Sequence, residues 1–159
     1  MNKLPGILLL VLTLSVSLGC NKETEEIIPE NSFWVNVDGE LWKSDTVYVN
    51  YSATTNITVI TANHGNDNEQ INLSFHGNSV GAYPFSSGDI PHFGNYFRNS
   101  THELYWSSST AHPVGQVFVT EYDHANHWLS GNFYFDAYDS LGNKKVLTGG
   151  KFNKLLLSE

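Results

Sequence analysis

From residue 33 onward this chain alternates apolar and polar residues between closely spaced turn signals, and nowhere does it carry an i, i+3, i+4, i+7 apolar stripe over three turns. A helix needs that stripe to bury one face, whereas a period of two feeds a half-buried strand, so the pattern points to an all-β fold. Phe33-Trp34-Val35-Asn36-Val37 runs into Asp38-Gly39, the dipeptide best suited to a two-residue hairpin, and Glu40-Leu41-Trp42-Lys43 returns. Residues 46–52 and 57–61 are rich in β-branched and aromatic side chains. After a turn cluster at 63–68, Ile71, Leu73 and Phe75 alternate with Asn72, Ser74 and His76. Gly81, Pro84, Gly88, Pro91 and Gly94 break the pattern between 77 and 113, leaving short strands at 96–97 and 103–106. It resumes over 115–122, 128–138 and 144–157, with connections at 123–127 and 140–143. These runs predict nine or ten antiparallel strands, largely in sequence order, forming a β-sandwich or flattened barrel.

Size and charge narrow the function. Residues 1–19 read as a leader, and the 140 that remain of 159 suffice for one core but not two. We divide the chain into a leader (1–19), a tether (20–32) and a single β domain (33–159). Eight Lys and Arg stand against 16 Asp and Glu, a net charge of −8, and Arg98 is the one arginine; nucleic acid and an anionic membrane surface both require clustered cations, so neither is an expected partner. A single Cys excludes an internal disulfide and a Cys-based zinc site.

That single Cys closes the leader. Lys3 gives a basic start, residues 4–19 are uncharged and rich in Leu, and the run is at or below the length needed to span a bilayer. Ser17-Leu18-Gly19-Cys20 resembles the lipobox of bacterial lipoproteins, with Ser17 where Leu is usual and Cys20 as the residue that becomes acylated. An ordinary cleaved signal with an incidental Cys is the alternative. Several acyl chains at ~0.8 kcal/mol per buried CH₂ would anchor the domain to a membrane without spanning it. The polar, acidic stretch 21–32 reads as a tether, and Lys22-Glu23-Thr24-Glu25-Glu26 resembles the acidic signal that sends Bacteroidota lipoproteins to the outer face of the outer membrane.

Val37-Asp38-Gly39-Glu40-Leu41-Trp42, Gly81-Ala82-Tyr83, residues 115–123, Leu129-Ser130-Gly131-Asn132-Phe133-Tyr134-Phe135 and Thr148-Gly149-Gly150-Lys151-Phe152 together span nearly all of the chain after the tether. In that order they resemble an uncharacterised family of small Bacteroidota lipoproteins classed as a domain of unknown function. The resemblance implies export, lipidation and a β domain, and it carries no catalytic residue. The same motifs have a physical reading: Trp42 would cap one end of the core, and Gly131 within a strand signals a bulge or a close backbone approach that lets Phe133 and Phe135 point inward.

Candidate chemistry is sparse. Gly77-Asn78-Ser79-Val80-Gly81 fits G-x-S-x-G, but a nucleophile elbow needs a following helix, and Pro84 and Gly88 forbid one. His124 and His127 beside Asp123 read either as an exposed hairpin loop or as a metal clip, without the three or four ligands that zinc or copper requires. His64, His92, His102 and His112 fall in loops or at strand ends. Asp67 and Glu69 are two carboxylates where calcium wants more, so they read as part of a solvated turn. Asp45-Thr46-Val47 and Asp139-Ser140-Leu141 resemble the short acceptor of Bacteroidota O-glycosylation. We expect no catalytic residue, cofactor or resident metal.

The aromatic content is more informative. Phe33/Trp34, Tyr105/Trp106 and Phe133/Tyr134/Phe135 place consecutive rings on opposite faces of their strands, so some must leave the core. Rings among Asn, Ser and Thr stack on sugars or dock a partner, unless they pair across strands or lie under the 77–113 stretch. We nominate Trp106 and Trp128 as ligand-stacking residues. The reading is a lipid-anchored, non-enzymatic cell-envelope protein that binds an envelope protein or serves structurally. A carbohydrate-binding accessory to glycan uptake and a lipocalin-like carrier of a small apolar ligand are the alternatives, the last requiring a hollow core.

Overall fold

A computed structural model of the chain describes residues 30–65, 68–86, 92–107 and 114–158. The leader, Cys20 and nearly all of the tether lie outside the described residues, as do Asp67, Gly88, Pro91 and His112. Eleven strands follow in order: β1 (Ser32–Val37), β2 (Glu40–Lys43), β3 (Thr46–Ser52), β4 (Ile57–His64), β5 (Glu69–His76), β6 (Gly81–Pro84), β7 (Phe93–Arg98), β8 (Glu103–Trp106), β9 (Gly115–Asp123), β10 (Trp128–Tyr138) and β11 (Lys144–Ser158). Asp38 and Gly39 both have positive φ, 52° and 90°, in the expected tight turn between β1 and β2.

The strands form one sheet in the order β2-β1-β11-β3-β4-β5-β7-β8-β10-β9-β6, and β10 also pairs with β11, which folds the sheet back on itself. One wall is β3-β4-β5-β7-β8 and the other β2-β1-β11-β10-β9-β6. They meet at two seams, Leu157 and Ser158 against Val49 and Asn50, and Tyr138 against Trp106. The result is an all-β flattened barrel. Two details go beyond the sequence expectation. The first is β6, an eleventh strand of four residues in the Gly- and Pro-rich stretch, too short for alternation to reveal; it pairs with β9. The second is the β11–β3 seam, which is parallel in an otherwise antiparallel sheet because the long last strand changes neighbours near its end.

The interior is packed with rings seated on glycines. Phe33 stacks on Phe133 at 4.9 Å between centroids, and Phe133 on Phe135 at 6.3 Å. A Cβ on Gly150 would lie 2.6 Å from Phe133, and one on Gly94 2.7 Å from Phe135. The space that a hollow barrel would leave for a ligand is thus taken by side chains. Gly131 is the expected irregularity: pairing shifts register beside it on both the β9 and β11 sides, and Phe152 packs over it.

Trp42 caps one end as anticipated, edge-on to Phe33 at 81°. Its Nε1 donates to Glu69 Oε2 at 2.7 Å, and Arg98 Nε donates to Glu69 Oε1 at 2.9 Å. Burial pushes the Glu69 carboxyl up, but bonds from Tyr96, Arg98 and Trp42 prevail and hold it below its ordinary value. Burial, with Glu69 beside it, pushes the Tyr96 phenol up to about 12. Glu69 therefore serves the barrel end and is not a solvated turn residue.

Candidate functional site

Trp106 stands where the two walls meet. In β8 the alternation turns Tyr105 inward, so Trp106 must face out, 41% exposed, with its ring 5.6 Å from that of Phe93 on β7. Its register partner is Tyr138, at the end of β10. The β7–β8 and β10–β11 hairpins flank an open cleft of about 610 Å³ lined by His102, Glu103, Leu104, Trp106, Tyr138 and Leu141. Two rings, two exposed leucines, a carboxylate and an imidazole make a surface on which a ring-shaped ligand can stack and be held by polar contacts.

A polar ladder runs behind Trp106 along the outer face of the same wall. Thr61 donates to Asn72 Oδ1 at 2.7 Å, Asn72 donates to Asn95 Oδ1 at 2.8 Å and to Gln70 Oε1 at 2.9 Å, and Gln70 donates to Asn63 Oδ1 at 2.9 Å. These amides satisfy one another and hold the flanking strands in register. Asp139, beside the cleft, is committed to its own turn: it accepts from Leu141 N, Asn143 N and Asn143 Nδ2 at 2.7–2.9 Å. The Asn143 side chain above all holds that carboxyl below its ordinary range, so Asp139 builds the hairpin.

The structure does not bring Trp128 to this cleft. Trp128 begins β10 and Trp106 pairs with its end, ten residues away, a span of roughly 30 Å at ~3.3 Å per residue. Trp128 is half-buried, with Lys154 Nζ 5.6 Å from its ring centre. The two nominated rings therefore form no common platform.

The remaining sequence candidates scatter. Residues 124–127 are a hairpin loop in which Asp123 accepts from Ala125 N and Asn126 N, both at 2.9 Å, and from Asn126 Nδ2 at 2.8 Å. His124 packs on Tyr122 at 4.6 Å, and both loop histidines line a small cleft of about 240 Å³ with Tyr51. His64 lies in a different cleft beside Trp42, and His102 in that of Trp106. Among the described residues no group of three or more His, Cys, Asp or Glu converges as a metal site. Ser79 is followed by β6 and not by a helix, and the Tyr83 hydroxyl donates to its carbonyl at 2.7 Å; this is a glycine-rich turn. Sequence reasoning passed over Phe118, 42% exposed, which gains neighbours only through strand pairing on the opposite wall.

Comparison with known proteins gives one match. The family model described as "Domain of unknown function (DUF6252)" covers residues 30–155, which is almost the whole described chain. No curated protein and no solved structure matches.

Proposed function

This chain belongs to the family of the domain of unknown function DUF6252, and on that footing we propose that it is a lipid-anchored, non-enzymatic binding accessory of the bacterial cell envelope. The observation that carries binding is Trp106, a large ring exposed on β8 beside Tyr138 in an open cleft. Anchoring rests on the uncharged run 4–19 ending at the chain's single Cys, Cys20, and the acidic residues 22–26 favour the outer membrane of a Bacteroidota cell with outward display. The partner is an envelope protein or a glycan. The carboxylate of Glu103 and the imidazole of His102 beside the ring favour the glycan over a small apolar ligand, for which the ring-filled core supports no lipocalin-like chamber.

Thermal unfolding of the whole chain in detergent, scanned against a glycan panel, tests the binding. A ligand at a hundred times its dissociation constant adds ~2.7 kcal/mol, which raises the midpoint by roughly 10 °C for a domain of this size. Trp106→Ala should abolish the shift and Trp128→Ala should leave it. A flat response across the panel removes the glycan and leaves the protein partner, to be sought by crosslinking on intact cells. Loss of labelled fatty acid from Cys20→Ser tests the anchor.

A further inference from the structure

The outer face of the second wall carries a feature unrelated to the Trp106 cleft. Register places Lys43 of β2 and Lys151 of β11 directly opposite Trp34 of β1, one on each side. Lys151 in turn faces Asn132 of β10, Asn132 faces Phe118 of β9, and Phe118 faces Ala82 of β6. One straight row across six strands thus reads Lys43, Trp34, Lys151, Asn132, Phe118, Ala82, about 24 Å long at ~4.8 Å per strand. The adjacent row holds Asn36, Tyr134 and Gln116, with Tyr134 45% exposed and diagonal to Phe118.

The charge of this strip is opposite to that of the chain. The sequence has 16 Asp and Glu, yet neither row contains one. The other lysines of the wall are engaged by acids outside the two rows: Lys144 with Asp136, Lys145 with Asp38, and Lys154 with Glu30. Lys151 instead reaches across Trp34, its Nζ 5.8 Å from the ring centre. An indole with one ammonium group at its ring and a second lysine paired with it on the neighbouring strand, followed by an amide and further rings, suits a ligand that is planar and apolar on one face and anionic at its edge, repeated along a line.

We propose that this strip binds an acidic polysaccharide, a chain of uronate-bearing sugars lying across the strands, with a sugar ring on Trp34 and its carboxylate held by Lys43 and Lys151. Stacking fixes the sugar face, and the two lysines select the charged sugar over its neutral counterpart. The inference is independent of what the Trp106 cleft binds.

Biolayer interferometry of the whole chain in detergent on immobilised polygalacturonate, alginate and dextran tests it. Binding to the two uronate polymers and not to dextran, weakening as salt rises, is expected. Trp34→Ala and the double variant Lys43→Gln/Lys151→Gln should each weaken it about tenfold, with melting midpoints near that of the parent. Equal binding to dextran, no uronate binding, or uronate binding unmoved in folded Trp34 and lysine variants overturns the proposal. So does a preference for phosphatidylglycerol vesicles over uronates, which reassigns the strip to a membrane surface. If Trp34→Ala unfolds, the lysine pair decides.

Discussion

Replacing Gly131 with Ala tests whether the barrel depends on a close approach of strands. A Cβ there would lie 2.1 Å from the carbonyl oxygen of Phe118 and 2.4 Å from the Phe152 ring. The ring can turn away, but the carbonyl belongs to β9, which is pinned by its ladder to β10 from Asp123 to Gly115 and by β6 on its far side. Restoring even 3.0 Å requires a shift of 3.0 − 2.1 = 0.9 Å in a backbone that has no free edge at that point. Overpacking of this kind costs ~1–3 kcal/mol, and weakening two ladder bonds adds ~1 kcal/mol each, giving ~3–5 kcal/mol in all. With ~2.1 cal/mol/K of unfolding entropy per residue over a domain of this size, the midpoint should fall by roughly 10–20 °C. Calorimetry and urea titration of Gly131→Ala measure this, and Gly131→Ala/Phe152→Leu separates the two contacts. If the carbonyl dominates, the double variant recovers little. A midpoint within about 3 °C of the parent would refute the argument, because it would mean that β9 yields at no cost.

The barrel end gives two pH predictions, and the hairpin gives a smaller structural one. The Glu69 carboxyl is held below its unfolded value, so its contribution is present above that value and disappears as pH falls through the folded one. Glu69→Gln should therefore destabilise by ~2 kcal/mol near neutrality, with the gap to the parent closing in acid denaturation. Tyr96 is raised from its ordinary 10.0 to about 12, so the stability it contributes is complete below pH 10 and is lost as pH rises towards 12. Tyr96→Phe should flatten that alkaline loss in unfolding curves, and tyrosinate absorbance should show a phenol that ionises late in the parent. Gly39→Ala meets no atom within 4 Å but keeps a φ of 90°, so it should cost only ~1 kcal/mol, far less than Gly131→Ala by the same melt.

Local signals were legible where they are decided by neighbours in sequence. Asp38-Gly39 makes its turn because both residues tolerate positive φ, and β4, β5, β9 and β10 declare themselves because one face of each is buried. Trp42 and Gly131 were readable as a cap and an irregularity for the same reason. β6 was not, since four residues ending in Pro84 carry too little alternation and its hydrogen bonds go to a strand distant in the chain. The candidate site was half legible: adjacent rings such as Tyr105 and Trp106 must face opposite ways, which puts Trp106 outside, but nothing in the sequence measures its distance from Trp128.

The sequence by itself determined the all-β class, the hairpins and which rings had to leave the core, because strand period and turn chemistry act over a few residues. Only the tertiary structure decided what those rings stand beside. Closure through the β10–β11 pairing and the two seams sets Trp106 against Tyr138, sends Trp128 to the other end of β10 and lines up Lys43, Trp34 and Lys151 from three separate strands. Register between strands distant in sequence is fixed by the packing of both walls at once, and no local pattern encodes it.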